Sequence, residues 1–172
     1  ELSWIAWDEI GDDHVDLLEF TREMLTLRNN HIVFRRSRFF HGRTIPGTKV
    51  LDVTWLGTDG GAMRKEDWGD PNRRTLGMML SGQAGERFLT ERGQPEPDDS
   101  FLVLLNAGSR RVTWTLPETE ENRPWRVRVS TAFPTGIPST RRSVTSRIVV
   151  GGRTALVLVQ YRTKAAKDAF RP

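Results

Sequence analysis

The sequence predicts a mainly β protein, an antiparallel β-sandwich preceded by a single α-helix. Two observations indicate this fold class. From residue 50 to residue 161, short apolar runs alternate with turns rich in Gly, Pro and Asp, which is typical of sandwiches and barrels. Before them, residues 14–29 repeat their apolar side chains at helical spacing.

The helix predicted over residues 14–29 has one apolar side. Asp12 or Asp13 can cap its first turn by accepting backbone N–H bonds, and Asn29 followed by Asn30 marks its end. The apolar side is formed by Leu17, Phe20, Met24 and Leu27, widened by Leu18 and Leu25. Since the sequence offers no second helix to cover it, this side must pack either on the sandwich or on a surface outside the chain.

The β part consists of short runs of apolar and alternating residues. The predicted strands are Val50–Trp55, Leu76–Leu80, Phe101–Leu105, Val112–Leu116, Trp125–Val129, Val144–Val150 and Ala155–Tyr161. The turn sequences 106–109 and 151–152 predict two hairpins, one joining 101–105 to 112–116 and the other joining 144–150 to 155–161. The polar stretch 83–99 predicts a long surface loop.

Composition excludes several classes of protein. With no cysteine, the chain has no disulfide, thiolate metal site or cysteine nucleophile, and a reducing cytoplasm is favoured. No apolar run approaches the roughly 18 residues of a membrane helix, so no membrane partner is expected. The net charge is +4, and its 26 Lys and Arg residues are scattered, whereas nucleic-acid binding needs a clustered basic surface. We therefore expect no nucleic-acid partner.

An ordered series of motifs carries a resemblance to a known family. The series runs through Glu1–Trp7, Phe20–Arg28, Val33–Arg36, Phe39–Gly42, Asp52–Trp55, Asp59–Gly60, Met63, Glu66–Trp68, Asp99–Phe101, Leu105–Ala107, Thr115–Pro117 and Trp125. With these motifs in this order, the chain resembles the C-terminal region of bacterial isoamylase-type glycogen-debranching enzymes. These enzymes belong to the α-amylase superfamily, glycoside hydrolase family 13. Ile32 departs from the pattern, because the family usually has Pro after the His.

The resemblance implies a fold and a domain division. The family has a (β/α)8 catalytic barrel followed by a C-terminal β-sandwich, so residues 1–31 would be the end of the barrel, as a connection plus its last helix. Residues 32–163 would be the sandwich domain and 164–172 a tail. The apolar side of the helix would then cover barrel strands that this chain lacks. The opening Glu1, without an initiator Met, also suggests a piece of a longer protein.

The resemblance also implies a function. The parent enzyme would hydrolyse α-1,6 branch linkages in glycogen or limit dextrin with a pair of carboxyl groups about 5 Å apart. In the family these carboxylates precede the point where this sequence starts. We therefore expect no catalytic residue and no cofactor here, and an inactive, structural fragment. Its partners would be the catalytic barrel and, through the parent, an α-glucan, in the cytoplasm.

Three tryptophans are candidate sugar contacts, namely Trp4, Trp7 and Trp68, although packing is the favoured interpretation of each. No metal site is predicted, because His14, His31 and His41 lack metal-ligand spacing and Asp98-Asp99 is interpreted as a turn. The alternative function is a stand-alone carbohydrate-binding β-sandwich module. The six tryptophans favour it, because exposed aromatic faces stack on sugars.

Overall fold

The structure, a computed structural model, describes residues 11–35, 39–45, 50–82, 98–118, 123–140 and 142–162, without the side chains of residues 12 and 13. The helices are α1 (Asp12–Asn30) and α2 (Lys65–Trp68), with a 3-10 turn at Ile32–Phe34. The strands are β1 (Val53–Leu56), β2 (Thr75–Leu80), β3 (Ser100–Asn106), β4 (Val112–Thr115), β5 (Trp125–Ser130), β6 (Ser143–Val144), β7 (Arg147–Val150) and β8 (Thr154–Gln160). No helix in these ranges is long and apolar enough to span a membrane.

The described strands form two sheets in which every pairing is antiparallel. One sheet has the order β1-β2-β3-β8-β5-β6, and the other pairs β4 with β7. The predicted antiparallel β-sandwich preceded by one helix is therefore confirmed.

Both predicted hairpins are wrong. Strand β3 pairs with β2 and β8, whereas β4 pairs with β7 in the other sheet. Likewise β8 lies between β3 and β5, so it does not pair with β7. The predicted strand 144–150 is also divided, with β6 in the large sheet and β7 in the small one. The turns thus carry the chain from one sheet to the other instead of folding it back.

The buried side chain of Asn106 holds these turns together. Its amide nitrogen donates to the carbonyl oxygens of Arg110 and Gly151, each at 2.8 Å, and its oxygen accepts from the N–H of Gly108 at 3.0 Å. Asn106 ends β3 and Gly151 follows β7, so these bonds join the large sheet to the small one. A buried amide is tolerated here because its groups find partners.

The main core lies between the two sheets. One row of the large sheet places Leu56, Gly77, Leu104 and Leu156 side by side across four strands. The leucines of this row are buried together with Trp114, which comes from the small sheet. A Cβ atom on Gly77 would lie only 2.9 Å from the Trp114 ring. Glycine therefore makes the space that the indole fills.

The opposite face of the large sheet carries a second core. Its central row places Val53, Leu80, Phe101 and Val159 on adjacent strands, and all four are buried in one cluster with Leu27 of α1. Because both faces are covered, β3 and β8 are nearly continuous apolar runs.

Helix α1 begins and ends close to its predicted bounds, but its cap differs. The N-cap position is Gly11, which provides no side-chain hydrogen bond, while Asp12 and Asp13 already lie inside the helix. The predicted stop after Asn30 is confirmed, with His31 at the C-cap position. The helix is therefore held by its tertiary contacts more than by its N-terminal cap.

Candidate functional site

One side of α1 packs on the sandwich. Leu27 is only 6% exposed, and Phe20 and Met24 are half-buried against the second core. The expectation that the whole apolar side covers strands outside the chain is therefore wrong for these three residues. These three residues of the predicted stripe face the large sheet. They cover the valines and the phenylalanine on the outer face of that sheet.

Two further contacts fix the helix on the sheet. Glu23 accepts a hydrogen bond from Arg128 of β5 at 3.1 Å. The ring of Phe20 lies against Gly136, where an added Cβ would be 2.5 Å from the ring. Gly136 also has a φ of +72°, a conformation that side-chain-bearing residues rarely adopt. The loop after β5 is therefore shaped to receive Phe20.

The C-terminal end of α1 is held by an acidic pair. His31 Nδ1 lies 2.8 Å from Asp98 Oδ1, and the backbone N–H of Val33 donates to Asp98 Oδ2 at 3.1 Å. Asp99, which is buried, accepts from the backbone N–H of Arg162 at 2.8 Å. These bonds join the helix end, the start of β3 and the end of β8.

Burial raises the pKa of Asp98, but other interactions outweigh it. The hydrogen bond and charge of His31 favour the ionised carboxylate, as do the backbone N–H groups of Val33 and Asp99. The pKa of Asp98 consequently lies below its ordinary value of 3.8. The ionised carboxylate is thus part of the docking contact.

The same three side chains have the composition of a metal-ligand set. Ligand atoms of His31, Asp98 and Asp99 lie within 4.8 Å of one another. Their atoms are however already engaged in the hydrogen bonds that attach α1 to the sheet. We therefore assign the cluster to helix docking, a role that the predicted turn at Asp98-Asp99 missed because His31 is 67 positions away.

The other side of α1 exposes an apolar surface, formed by Val15, Leu18 and Leu25. Leu18 is 44% exposed and Leu25 is 55% exposed. These two lie about two turns apart, so they project in nearly the same direction, opposite to Phe20. The loop that receives Phe20 exposes two further apolar side chains, Phe133 and Ile137. Sequence reasoning grouped all the helix leucines on one side and missed both loop residues.

The predicted sugar contacts are placed differently by the structure. Trp4 and Trp7 lie outside the described residues. Trp68 ends α2 and is 55% exposed, with its ring centroid 5.7 Å from that of Trp55. Asp52, at the start of β1, is buried and accepts the backbone N–H groups of His41 and Arg43. It thus holds the backbone turn at His41–Arg43.

Fold and helix together define an antiparallel β-sandwich domain with a docked N-terminal helix that is apolar on two sides. A family sequence model described as "Isoamylase, C-terminal" matches residues 52–165. The chain therefore belongs to the isoamylase C-terminal family.

Curated relatives extend the similarity to α1. Proteins of Mycobacterium bovis and Mycobacterium tuberculosis, each named "Glycogen operon protein GlgX homolog", are 38% identical over 159 residues, or 92% of this chain and 22% of theirs. The chain thus spans about a fifth of the length of the relatives that it matches. Among solved structures, pullulanase type I from Bacillus subtilis, complexed with maltose, aligns with a TM-score of 0.47 and 14% identity. That alignment covers 83% of this chain and 15% of the pullulanase.

Proposed function

We propose that this chain is the C-terminal part of a glycogen-debranching enzyme that hydrolyses α-1,6 branch linkages, in which it acts as a structural domain docked on the catalytic barrel. One observation carries this proposal. Helix α1 is buried on the sandwich through Phe20 and Leu27, yet leaves Leu18 and Leu25 exposed on its opposite side. A helix that is apolar on two sides is typical of a position between two layers of structure.

The energetics favour covering the exposed side. Burying a fully exposed leucine side chain stabilises a fold by about 1.5–3 kcal/mol. Because Leu18 and Leu25 are already about half buried, covering the rest of both would contribute about 1.5–3 kcal/mol in total. The domain division into residues 1–31, 32–163 and 164–172 follows the same proposal. In this division α1 is the last helix of the barrel, and the sandwich packs on one side of it.

The names of the relatives support the activity of the parent. They are described as glycogen operon proteins, and the chain matches about a fifth of their length. We place the catalytic carboxylates in the remainder of the parent, so that residues 1–172 contain none of them. The isolated chain should release no reducing ends from a branched limit dextrin that the parent hydrolyses. Hydrolysis by the isolated chain would overturn its structural role.

Substitutions on the exposed side of α1 test the docking. Leu18→Ser combined with Leu25→Ser should lower the melting temperature and the debranching rate of the parent. The same two substitutions should change the free energy of unfolding of the isolated chain by no more than about 1 kcal/mol in total, because both residues are about half exposed there. Val149→Ser is the matched control, since Val149 is equally exposed at 56% but lies on the small sheet. If the parent tolerates the leucine pair as well as the control, α1 does not dock on the barrel.

A second candidate function is a stand-alone carbohydrate-binding module, and the exposure of Trp68 favours it. A module works without the barrel, whereas a structural domain does not. The two differ in whether the parent needs the chain: a parent lacking these residues should still debranch a short branched oligosaccharide if they form a module, and should lose that activity if they form a structural domain.

We also propose that the parent is cytoplasmic. The chain contains no cysteine, which suits a reducing compartment, and its relatives are named for a glycogen operon. Cell fractionation against a cytoplasmic marker tests this, and recovery of the parent outside the cytoplasm would contradict it.

A further inference from the structure

The aromatic surface at Trp68 is held in place but open. Its ring meets that of Trp55 at 83° with 5.7 Å between centroids. A perpendicular contact can occupy at most one face of the Trp68 ring, and the residue is more than half exposed. One face of a large, rigid aromatic side chain is thus available to a ligand.

A cleft of about 320 Å³ begins at this ring. Its walls are apolar at Met63, Leu76 and Leu105, while Asp70 and Arg74 stand at its edge. The volume falls within the roughly 300–1,000 Å³ of small-molecule sites, which likewise combine apolar walls with a few polar groups.

The polar groups around the cleft are oriented by local hydrogen bonds. Arg73 forms an ion pair with Asp67 and also donates from Nε to the Asp67 carbonyl at 3.1 Å. Arg74 donates to the carbonyl of Pro71 at 2.7 Å, and Asp70 accepts the N–H of Asn72 at 2.9 Å. Because these side chains are already ordered, a ligand would lose less free energy in fixing them.

The cleft continues into two neighbouring ones. A cleft of about 420 Å³ shares Arg73, Arg74 and Asp70 with it, and another of about 710 Å³ shares Arg73 and Asp67. Together they follow one side of the domain from the β1–α2 turn to the end of β3. This arrangement suits an extended chain better than a single compact ligand.

We propose that this groove is an accessory binding site for a linear α-glucan chain, in which the indole of Trp68 stacks on one glucose ring. The C–H groups on the face of a pyranose are apolar and match an aromatic face, while its edge hydroxyls match the planar arginine and carboxylate groups at the rim. The choice of α-glucan as ligand rests on the proposed function. The role of the site is to hold a branched polymer near the parent's active site.

Titration of the chain with maltoheptaose, followed by tryptophan fluorescence and calorimetry, tests the proposal. We expect saturable binding that weakens at least about fivefold in Trp68→Ala. Trp68→Phe should retain most of the affinity, because it keeps an aromatic face. Phe39→Ala, at an exposed aromatic residue that does not line the cleft, is the matched control and should bind as the unchanged chain does.

Two results would overturn the site: no saturable binding by the unchanged chain, or equal binding by Trp68→Ala. If Trp68→Ala does not fold, maltoheptaose binding is measured instead with Asp70→Ala, a substitution at the exposed rim of the cleft, which should likewise weaken binding. Failure of this inference is separable from failure of the proposed function. Trp68→Ala in the parent should slow debranching of long glycogen chains but not of a short branched oligosaccharide, whereas a parent without any debranching activity would refute the proposed function alone.

Discussion

Glu23 and Arg128 are 105 positions apart in the sequence and form an ion pair at 3.1 Å, with both side chains partly buried. The pair connects α1 to β5 across the edge of the second core. It lies between the Phe20 contact with Gly136 and the His31 contact with Asp98, so the helix is held from Phe20 to its C-terminal end.

Removing the Glu23–Arg128 pair should loosen the helix. In a double-mutant cycle with Glu23→Ala and Arg128→Ala, we expect a coupling free energy of about 0.5–1 kcal/mol, measured by urea unfolding. A cycle that pairs Arg128→Ala with Glu66→Ala, an exposed residue of α2, should be additive. Zero coupling in the first cycle would show that the pair does not hold α1.

Adding a methyl group at Gly77 should disturb the main core. In Gly77→Ala the new Cβ would lie 2.9 Å from the Trp114 ring and 3.0 Å from Leu56 Cβ. We expect the free energy of unfolding to fall by about 1–3 kcal/mol, because a packed core accommodates extra volume poorly.

Gly69→Ala is the control for that substitution. Its Cβ would meet the Glu66 carbonyl at an ordinary 3.6 Å, and its φ of −86° suits alanine. Its stability should change by about 0.5 kcal/mol or less. Equal effects of the two substitutions would contradict the packing of Trp114 over Gly77.

Substituting Asn106 should separate the turns that join the sheets. Asn106→Ala leaves the carbonyls of Arg110 and Gly151 without their donor, which we expect to lower the free energy of unfolding by about 1–3 kcal/mol. Asn106→Asp should lower the free energy of unfolding further at neutral pH, because a carboxylate oxygen, which accepts hydrogen bonds, would then face two carbonyl oxygens. Chemical denaturation measures both, and a milder effect of Asp than of Ala would argue against the hydrogen-bond role.

Acidification should weaken the contact at the end of α1. The folded pKa of Asp98 is below 3.8, so its stabilising contribution is fully present above the unfolded pKa and is lost as the pH falls through the folded value. The difference in unfolding free energy between the unchanged chain and Asp98→Asn should therefore shrink between about pH 5 and pH 2.

A partner substitution gives an independent reading of that contact. His31→Ala removes a hydrogen bond and a charge that favour the ionised carboxylate. It should therefore raise the pKa of Asp98, which carboxyl-carbon NMR can follow through a pH titration. An unmoved pKa would contradict the His31–Asp98 contact.

Local pattern was enough to predict most of the elements, although it missed α2 and predicted β6 and β7 as one strand. The alternation in Trp125–Val129 and the apolar run in Phe101–Leu105 predicted β5 and β3, and the period of residues 14–29 predicted α1. These signals survive because side-chain periodicity is written into neighbouring residues. The ordered motifs likewise indicated the family to which the chain belongs.

Only the tertiary structure decided which elements meet. The sequence after Asn106 is typical of a hairpin turn, yet the Asn106 side chain donates to the carbonyl of Gly151, 45 positions away, and β4 pairs with β7. The apolar side of α1, continuous in sequence terms, is divided into residues that face the sheet and residues such as Leu25 that face away. Strand partners and buried sides depend on contacts between distant segments, whose free energies are invisible in any local stretch of sequence.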